Sequence, residues 1–290
     1  MRKAIGMTLA AIATVQLGSS IAKNLFGAVG PLGLVWLRVT MAGLILAIAV
    51  RPRWRGHSRH DWLVLAGYSL ALVAMNFTFY QAISRIPISI AVTIEFLGPL
   101  SVAVLKSRGA RDLIWVGLAG LGVVLLGGAP QSLTWAGVAF ALAAAACWAG
   151  YILVAPKVGA VWRGAEPVAW ANIFGAVVLT IPMLTIDGSR LGHLWIWGAG
   201  AAVGLLSSVA PYALELKALR TLDQRIFSIL MSLEPAVAAV FALIIVGERL
   251  TPTELAAMAC VIVASIGVTW SAGWAARHHG AASEKTTPVR

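Results

Sequence analysis

Residues 87–105 read Pro-Ile-Ser-Ile-Ala-Val-Thr-Ile-Glu-Phe-Leu-Gly-Pro-Leu-Ser-Val-Ala-Val-Leu, and Glu95 is the only ionisable side chain among them. At 1.5 Å per residue, a helix of about this length crosses the roughly 30 Å hydrocarbon core of a bilayer. A charge at the centre of such a helix costs about 2.5–3.5 kcal/mol on insertion scales, so acids found there are functional candidates. The stretch therefore predicts a membrane-spanning helix that carries a functional acid.

The composition of the whole chain agrees with this stretch. Of 290 residues, 60% are hydrophobic and 11% are charged, and the mean hydropathy is +0.87. Soluble domains are about 45–50% apolar and about 25% charged. Apolar runs occur at 4–22, 31–50, 62–82, 87–105, 112–129, 133–155, 167–186, 193–216, 223–246 and 252–272. These runs predict an all-α polytopic membrane protein with ten transmembrane helices, the first being a retained helix rather than a cleaved signal peptide.

The basic residues predict the orientation of these helices. The formal net charge is +11, but the Lys and Arg residues lie mainly in short connections rather than in a polar domain, so we expect no nucleic-acid partner. If the N-terminus is cytoplasmic, 17 of the 22 basic residues lie in cytoplasmic segments, four lie outside and Arg38 lies within a helix. Cytoplasmic loops of membrane proteins are enriched in Lys and Arg. We therefore expect an inner-membrane protein with both termini in the cytoplasm.

The second half of the sequence resembles the first half. Gly6–Ala13 matches Gly137–Ala144, and Ala82-Ile83 precedes Pro99 by the same spacing at which Ala218-Leu219 precedes Pro235. Each half then holds five runs, and an odd number places the two halves in opposite orientations. Two inverted five-helix repeats are typical of secondary transporters, whose substrate site lies at the midplane between them. The predicted divisions are 1–130, 131–273 and a disordered cytoplasmic tail at 274–290.

Two further stretches resemble a known family. The first runs through Phe79-Tyr-Gln-Ala-Ile83, Arg85-Ile-Pro87 and Ile90–Pro99; the second comprises Leu233-Glu-Pro-Ala-Val-Ala-Ala239 and Gly247-Glu-Arg-Leu-Thr251. Both are similar to the EamA-type drug/metabolite transporter superfamily, and the first resembles its threonine/homoserine exporter branch. The first half departs from the pattern, since it has Lys106-Ser-Arg-Gly109 where the second half has Gly-Glu-Arg-Leu.

The resemblance implies export of small amino acids, driven by proton antiport. Another metabolite or a drug remains an alternative cargo within the same superfamily. A membrane enzyme that acts on a lipid is a more remote alternative, because it requires a cluster of His, Asp or Cys at one membrane depth and the sequence shows none. All five His lie in connections or the tail, and no nucleotide-binding or hydrolase motif is present, so we expect no cofactor and no metal. The expected partners are a small amino acid or metabolite, protons and membrane lipid, and the oligomeric state stays open.

Three intramembrane charges are the candidates for substrate binding or proton coupling. Glu95 and Arg38 lie at similar depth in runs four and two, and an ion pair between them is the favoured interpretation. Alternatively, Arg38 binds a substrate carboxylate. Glu234 lies at the middle of run nine, directly before Pro235. That proline breaks a backbone hydrogen bond and predicts a helix break at the midplane. Pro99 occupies the matching place in run four.

Polar and aromatic residues inside other runs are candidates for lining a cavity. They are Gln16, Asn76, Tyr80, Gln81, Trp148 and Tyr212, although each alone is also typical of contacts between helices. Glu215 and Lys217 end run eight and are interpreted as side chains that snorkel to the interface. Gly200 and Gly204 form a Gly-x-x-x-Gly pair that predicts close helix packing.

The charge count gives a direct test of topology. We expect reporter fusions at the C-terminal tail and in the 51–61 connection to give a cytoplasmic signal, because 17 basic residues lie on that side against four on the other. Paired alkaline phosphatase and fluorescent-protein fusions measure this, and a periplasmic signal from the C-terminus would overturn the orientation.

Overall fold

The chain folds entirely into helices wherever its structure is described. The computed structural model describes residues 1–106, 112–127, 133–183 and 191–284, and every regular element within these ranges is helical. The α-helices are α1 (Arg2–Val50), α2 (Arg59–Ile83), α3 (Ile88–Glu95), α4 (Leu97–Lys106), α5 (Asp112–Gly127), α6 (Trp135–Val161), α7 (Glu166–Met183), α8 (Leu194–Gly204), α9 (Ala210–Leu219), α10 (Gln224–Met231), α11 (Glu234–Phe241) and α12 (Pro252–Glu284). π-Helical segments lie at Leu205–Val209 and Ala242–Val246.

Eight helical stretches in the described ranges are long and apolar enough to cross a membrane, and α5 contributes a shorter apolar helix at Leu113–Leu126. Large aliphatic side chains cover their outer surfaces: Ile48, Val124 and Ile244 are each more than 70% exposed. Such a surface is stable only against lipid, because water does not solvate contiguous apolar faces of this size. The prediction of an all-α polytopic membrane protein is confirmed.

Runs one and two of the sequence form the single element α1, which is interrupted at Gly30. Gly30 has φ 68° and ψ 169°, a conformation that is open to glycine because it has no Cβ. Pro31 follows it and lacks the N–H that a continuous helix would use. The 49 residues of α1, about 74 Å at 1.5 Å per residue, exceed one bilayer core. Gly30 divides them into the helical segments 2–29 and 31–50.

Two of the membrane-spanning stretches are broken near their centres. Phe96 alone separates α3 from α4, and Ser232-Leu233 separates α10 from α11, which has Pro235 in its first turn. Phe96 and Ser232 lie 136 residues apart, as do Pro99 and Pro235. A helix break leaves backbone groups without intrahelical partners, so it must be buried in protein at this depth. Phe96 and Ser232 are indeed buried.

Side-chain contacts identify the two ends of the bundle. Ala4 packs with Leu222, Tyr212 donates to the Gly164 carbonyl at 3.5 Å, and Trp162 stacks on His57 with ring centroids 3.7 Å apart. The connections after α1, α6 and α9 hold or adjoin these residues, so they share the end where the chain starts, which we call the N-terminal face.

The opposite end carries the interruption of α1, and we call it the Gly30 face. Lys23 donates to the Ile86 carbonyl at 2.9 Å, and Asn24 donates to the Ile245 carbonyl at 3.1 Å. The main hydrophobic core lies on this side of the molecule, around fully buried Tyr80 and Ile83. The bundle is thus packed more continuously towards the Gly30 face.

Some predicted boundaries differ from the structure or fall outside it. The sequence predicted a disordered tail at 274–290, whereas α12 continues to Glu284; this stretch contains four alanines and no proline before Pro288, which favours helix. Residues 285–290 and the division at 130/131 lie outside the described residues.

The Gly-x-x-x-Gly pair of α8 packs directly on α1, as predicted. A Cβ at Gly200 would lie 2.8 Å from the Leu37 Cβ, and one at Gly204 would lie 2.8 Å from the Arg38 carbonyl oxygen. Gly198 in the same helix has open space around it. The two glycines therefore hold the backbone of α8 against the turn of α1 that carries Arg38.

We expect Gly204→Ala to lower stability by about 1–3 kcal/mol, because the added methyl overlaps backbone that cannot rotate away. Gly198→Ala is the matched control: its methyl meets nothing, and alanine favours helix over glycine by about 1 kcal/mol. Thermal unfolding of the two variants in the same detergent measures the difference. Equal melting temperatures would show that α8 is free to move away from α1.

Candidate functional site

A cavity of about 190 Å³ lies at the centre of the bundle, beside both helix breaks. Six elements bring predicted residues to its wall: α1, α2, α3, α6, α9 and α11. The predicted residues that line it are Gln16, Arg38, Asn76, Glu95, Trp148, Tyr212 and Glu234. These residues alone bring two carboxyl groups, one guanidinium and two amides to the wall.

Arg38 does not form the ion pair with Glu95 that the sequence favoured. Its Nη2 donates to the Ser207 carbonyl at 2.8 Å and its Nε donates to the Ser208 hydroxyl at 3.2 Å. The guanidinium also lies 5.4 Å from the centre of the Tyr80 ring. The physical reason is the π-helical segment Leu205–Val209, whose wider turn presents an acceptor carbonyl to Arg38. Arg38 is 7% exposed and is held by one helix turn rather than by a countercharge.

Glu95 remains without a direct partner in the described part of the chain. It ends α3 one residue before the break at Phe96 and is 8% exposed at the cavity wall. No hydrogen bond or salt bridge joins it to another described residue. A carboxyl group in this position is available to a proton or to a cationic group of a bound solute.

Glu234 is joined to the other half of the chain through Gln16. The Gln16 amide nitrogen donates to Glu234 Oε1 at 3.1 Å, linking α1 to the first residue of α11. Gln16 Oε1 and Glu234 Oε2 are both buried and lack a hydrogen-bond partner. A buried acceptor left unpaired costs about 1–3 kcal/mol, so this corner of the cavity favours a donor such as an ammonium group or a protonated carboxyl.

Two predicted lining residues lie elsewhere, and this corrects their assignment. Tyr80 is fully buried in the core and packs on Phe26, with ring centroids 5.8 Å apart. The Gln81 side chain accepts from Arg85 at 2.7 Å, near the Gly30 face. Successive helix positions point about 100° apart, so of Phe79, Tyr80 and Gln81 only Phe79 reaches the cavity.

Sequence reasoning missed part of the site. The sequence predicts that Glu215 snorkels to the interface, but Glu215 lines the cavity with Tyr212, one turn earlier on α9. Tyr151 does the same one turn after Trp148 on α6. This i, i+3 spacing of polar residues within apolar runs was the signal that could have found them. Tyr151, Tyr212 and Glu215 are partly exposed, so the cavity is reached from the N-terminal face.

The remaining polar lining comes from residues whose roles the sequence did not indicate. Asn172 on α7 is 1% exposed, and its amide nitrogen donates to the Val168 carbonyl at 2.8 Å, which leaves its oxygen unpaired. The hydroxyls of Ser19 and Ser207 are likewise buried without partners. Isolated Asn and Ser residues in apolar helices are common, so only their convergence in space distinguishes them.

A bundle of membrane-length helices around a central polar cavity, with helix breaks at its wall, defines a multi-pass membrane transporter. The EamA-like transporter family matches residues 135–270. The threonine/homoserine exporter RhtA of Escherichia coli strain K12 is 41% identical over 270 residues, covering 91% of this chain and 90% of that protein. The chain belongs to the EamA-like transporter family, in the branch of the threonine/homoserine exporters, as the sequence resemblance predicted.

Other relatives extend the comparison. The threonine/homoserine exporter RhtA of Salmonella typhimurium strain LT2 is 41% identical over 266 residues, covering 90% of this chain and 89% of that protein. The uncharacterized transporter YwfM of Bacillus subtilis strain 168 is 24% identical over 80% of this chain and 82% of its own length. A solved structure described as a crystal structure of protein shares the fold, with a TM-score of 0.61 at 22% identity, covering 91% of this chain and 96% of that chain.

The contacts of Arg38 predict how its removal acts. Arg38→Ala leaves the Ser207 carbonyl without its donor, so we expect a loss of about 1–3 kcal/mol that Glu95→Ala does not restore. Ser208→Ala is the control, because it removes only the acceptor of Nε. Thermal unfolding of the single and double variants measures the coupling. A double variant that regains wild-type stability would show that Arg38 and Glu95 form an ion pair in the wild-type protein.

Proposed function

We propose that this protein exports small amino acids of the threonine and homoserine kind by exchanging them for protons. The observation that carries the proposal is the central cavity, in which a fixed guanidinium and two acids lie together without neutralising one another. The relatives named threonine/homoserine exporters, with 41% identity over nine-tenths of the chain, support the same cargo.

The cavity wall matches the charges of an amino acid zwitterion. Arg38 uses two of its five N–H donors in its contacts with Ser207 and Ser208, and those that remain suit a substrate carboxylate. Glu234 Oε2 and Gln16 Oε1 are unpaired acceptors that suit a substrate ammonium group. A solute that brings both charges satisfies both ends of the cavity at once, which favours an amino acid over a simple cation or anion.

The size of the cavity supports a small cargo. Pockets for drug-sized ligands occupy about 300–1,000 Å³, whereas this cavity occupies about 190 Å³. The alternative of a drug as cargo is therefore less favoured than a metabolite with few heavy atoms. Among the described residues, no three His, Cys, Asp or Glu side chains gather as a metal site, and the related proteins are transporters, which argues against the lipid enzyme.

Proton coupling is assigned to Glu95 and Glu234. Each is 8% exposed, each lies beside a helix break, and neither forms a salt bridge with another described residue. Acids in this situation within a membrane mark proton relays. A proton on either acid weakens its attraction for the substrate ammonium, so proton binding and substrate release compete at the same groups.

The architecture proposed for this function is ten transmembrane helices in two inverted halves. Eight long apolar stretches are present, and α1 counts as two spans because Gly30 divides it. The short helix α5 adds the tenth span. The matching positions of the two helix breaks, 136 residues apart, support the repeat. In this arrangement the N-terminal face is the cytoplasmic face of the inner membrane, so the cavity faces the compartment from which the cargo is taken.

Transport by the purified protein in proteoliposomes tests this function. An imposed pH gradient should drive accumulation of labelled threonine and homoserine, and a protonophore should abolish it. Glu95→Gln and Glu234→Gln should lose most gradient-driven transport, because Gln keeps the shape and hydrogen bonding of Glu but cannot exchange a proton. Glu166→Gln is the control: Glu166 is 7% exposed but accepts from the Arg163 backbone and lies outside the cavity.

Three results would change the assignment. Wild-type transport of another metabolite but not of threonine or homoserine would select a different cargo. Transport at a rate that is independent of the pH gradient would exclude proton antiport. Gradient-driven transport at wild-type rates in both Glu→Gln variants would show that neither acid couples the proton.

A further inference from the structure

A compact polar cluster ties three elements together at the Gly30 face, away from the cavity. Lys23 Nζ lies 2.6 Å from Glu248 Oε1 and donates to the Ile86 carbonyl at 2.9 Å. Glu248 Oε2 accepts from the Ile88 backbone N–H at 2.8 Å. We call this cluster the latch: the side chains of Lys23 and Glu248 with the backbone groups of Ile86 and Ile88. It joins α1, the start of α3 and the chain that follows α11.

The local chain explains why Glu248 reaches this position. Gly247 has φ 78° and turns the chain out of the π-helical segment Ala242–Val246, and the Glu248 N–H still donates to the Ala242 carbonyl. At the other side, α3 begins after Pro87, which offers no side-chain cap to the free N–H groups of the first turn. The carboxylate of Glu248 supplies that cap from a distant part of the chain, where the helix dipole also favours negative charge.

The latch is stronger than an ordinary surface ion pair. The Lys23 and Glu248 side chains are 21% and 13% exposed, so water competes weakly for them. Glu248 Oε2 accepts a hydrogen bond from Ile88, Glu248 Oε1 lies in the ion pair with Lys23, and the Lys23 ammonium also donates to the Ile86 carbonyl. Hydrogen bonds of charged groups are about twice as strong as those between neutral groups.

The elements that the latch joins are the ones that carry the site. Lys23 lies seven residues, about two helical turns, beyond Gln16 on α1, and Ile88 lies seven residues before Glu95 on α3. Glu248 follows the helix that begins at Glu234. The same elements thus meet twice, once at the cavity through Gln16 and Glu234 and once at the latch.

Apolar packing fills the space between the two meeting points. Val29, Ile83 and Ile90 belong to the main core on this side, and Ile83 and Ile90 are at most 2% exposed. On the opposite side of the cavity, Tyr212 and Glu215 are partly exposed. The cavity is therefore closed towards the Gly30 face and reached from the N-terminal face.

We propose that Lys23 and Glu248 are the gate of the Gly30 face, intact while the cavity faces the N-terminal side and broken when it opens to the other. This proposal rests on the proposed function, since only a transporter needs to expose one cavity to both faces in turn. It gives a role to the Gly247-Glu-Arg-Leu250 motif, which lies outside the cavity. Lys23 and Glu248 act here as positioning residues, because they hold α1, α3 and the segment after α11 in the closed arrangement.

Labelling of a cavity cysteine from each face tests the gate without requiring transport. In a chain with Cys147→Ser and Cys260→Ser, Met75→Cys places one thiol at the cavity wall. A membrane-impermeant maleimide is applied to the Gly30 face of oriented vesicles. Glu248→Gln and Lys23→Gln should each raise the labelling rate from that face by about tenfold, since each removes charged hydrogen bonds present only in the closed state. Lys23→Arg, which keeps the charge and the donors, should stay close to the unmodified latch.

Arg249→Gln is the matched control, because it removes an exposed charge one residue from Glu248 that makes no contact in the latch. Thermal unfolding checks that each variant is folded. If Glu248→Gln fails to reach the membrane, Lys23→Gln supplies the measurement, because it leaves the cap on Ile88 in place. Unchanged labelling from the Gly30 face in folded latch variants would overturn the gate. Equal increases from both faces, or with Arg249→Gln, would also overturn it, by showing general loosening.

The outcome separates the gate from the proposed function. Faster labelling in a protein that fails to move threonine would retain the gate and reject the cargo. Unchanged labelling in a protein that moves threonine would reject the gate and retain the transporter.

Discussion

The structure depends on one constraint: backbone groups released by a broken helix inside a membrane must find partners within the protein. Two membrane-spanning stretches break near their centres, at Phe96 and at Ser232-Leu233, and Phe96 and Ser232 are buried. The Ser232 hydroxyl shows how the second break is satisfied, since it donates to the Ser228 carbonyl at 3.1 Å and lies 2.8 Å from the Ser265 hydroxyl of α12. Since the breaks cannot face lipid, the surrounding helices must enclose them, and a polar centre follows.

The polar centre in turn explains the packing of the elements around it. Arg38 lies opposite the π-helical segment Leu205–Val209, and Gly200 and Gly204 bring α8 close enough for the Ser207 carbonyl to accept from it. A larger side chain at either glycine would move the acceptor away. The cationic group is therefore placed by small residues on the neighbouring helix rather than by a countercharge. That arrangement leaves Glu95 and Glu234 without an ion-pair partner in the described structure, as the proposed proton exchange requires.

The two faces of the molecule differ in the way that the proposed alternating access requires. Towards the Gly30 face, core packing and the contacts of Lys23 and Glu248 close the bundle. Towards the N-terminal face, Tyr151, Tyr212 and Glu215 line an accessible path to the centre. On α1 and α3 the latch and the site lie seven residues apart, about two helical turns, so a change at the site acids has a short path to the closed face.

The sequence by itself determined the class, the family and most of the charged residues of the candidate site. Run length and hydropathy are local properties, so the membrane-spanning stretches, the acids Glu95 and Glu234 and the prolines beside them could be found without coordinates. The similarity of 79–99 and 233–251 to known exporters added the branch. These features need no knowledge of which helices touch, because the bilayer imposes the same length and polarity on each span.

Only the tertiary structure decided the partners of the polar residues. Arg38 and Glu95 have similar depth in the sequence, yet depth does not fix rotation about a helix axis, and the guanidinium instead points to Ser207. Rotation about the helix axis also explains why Phe79 lines the cavity while Tyr80 and Gln81 do not. It likewise places Glu215 at the cavity wall. The latch joins residues 23, 86, 88 and 248, whose proximity no local pattern records. Contacts between distant helices depend on packing angles that arise from all the side chains together, so they appear only once the bundle is assembled.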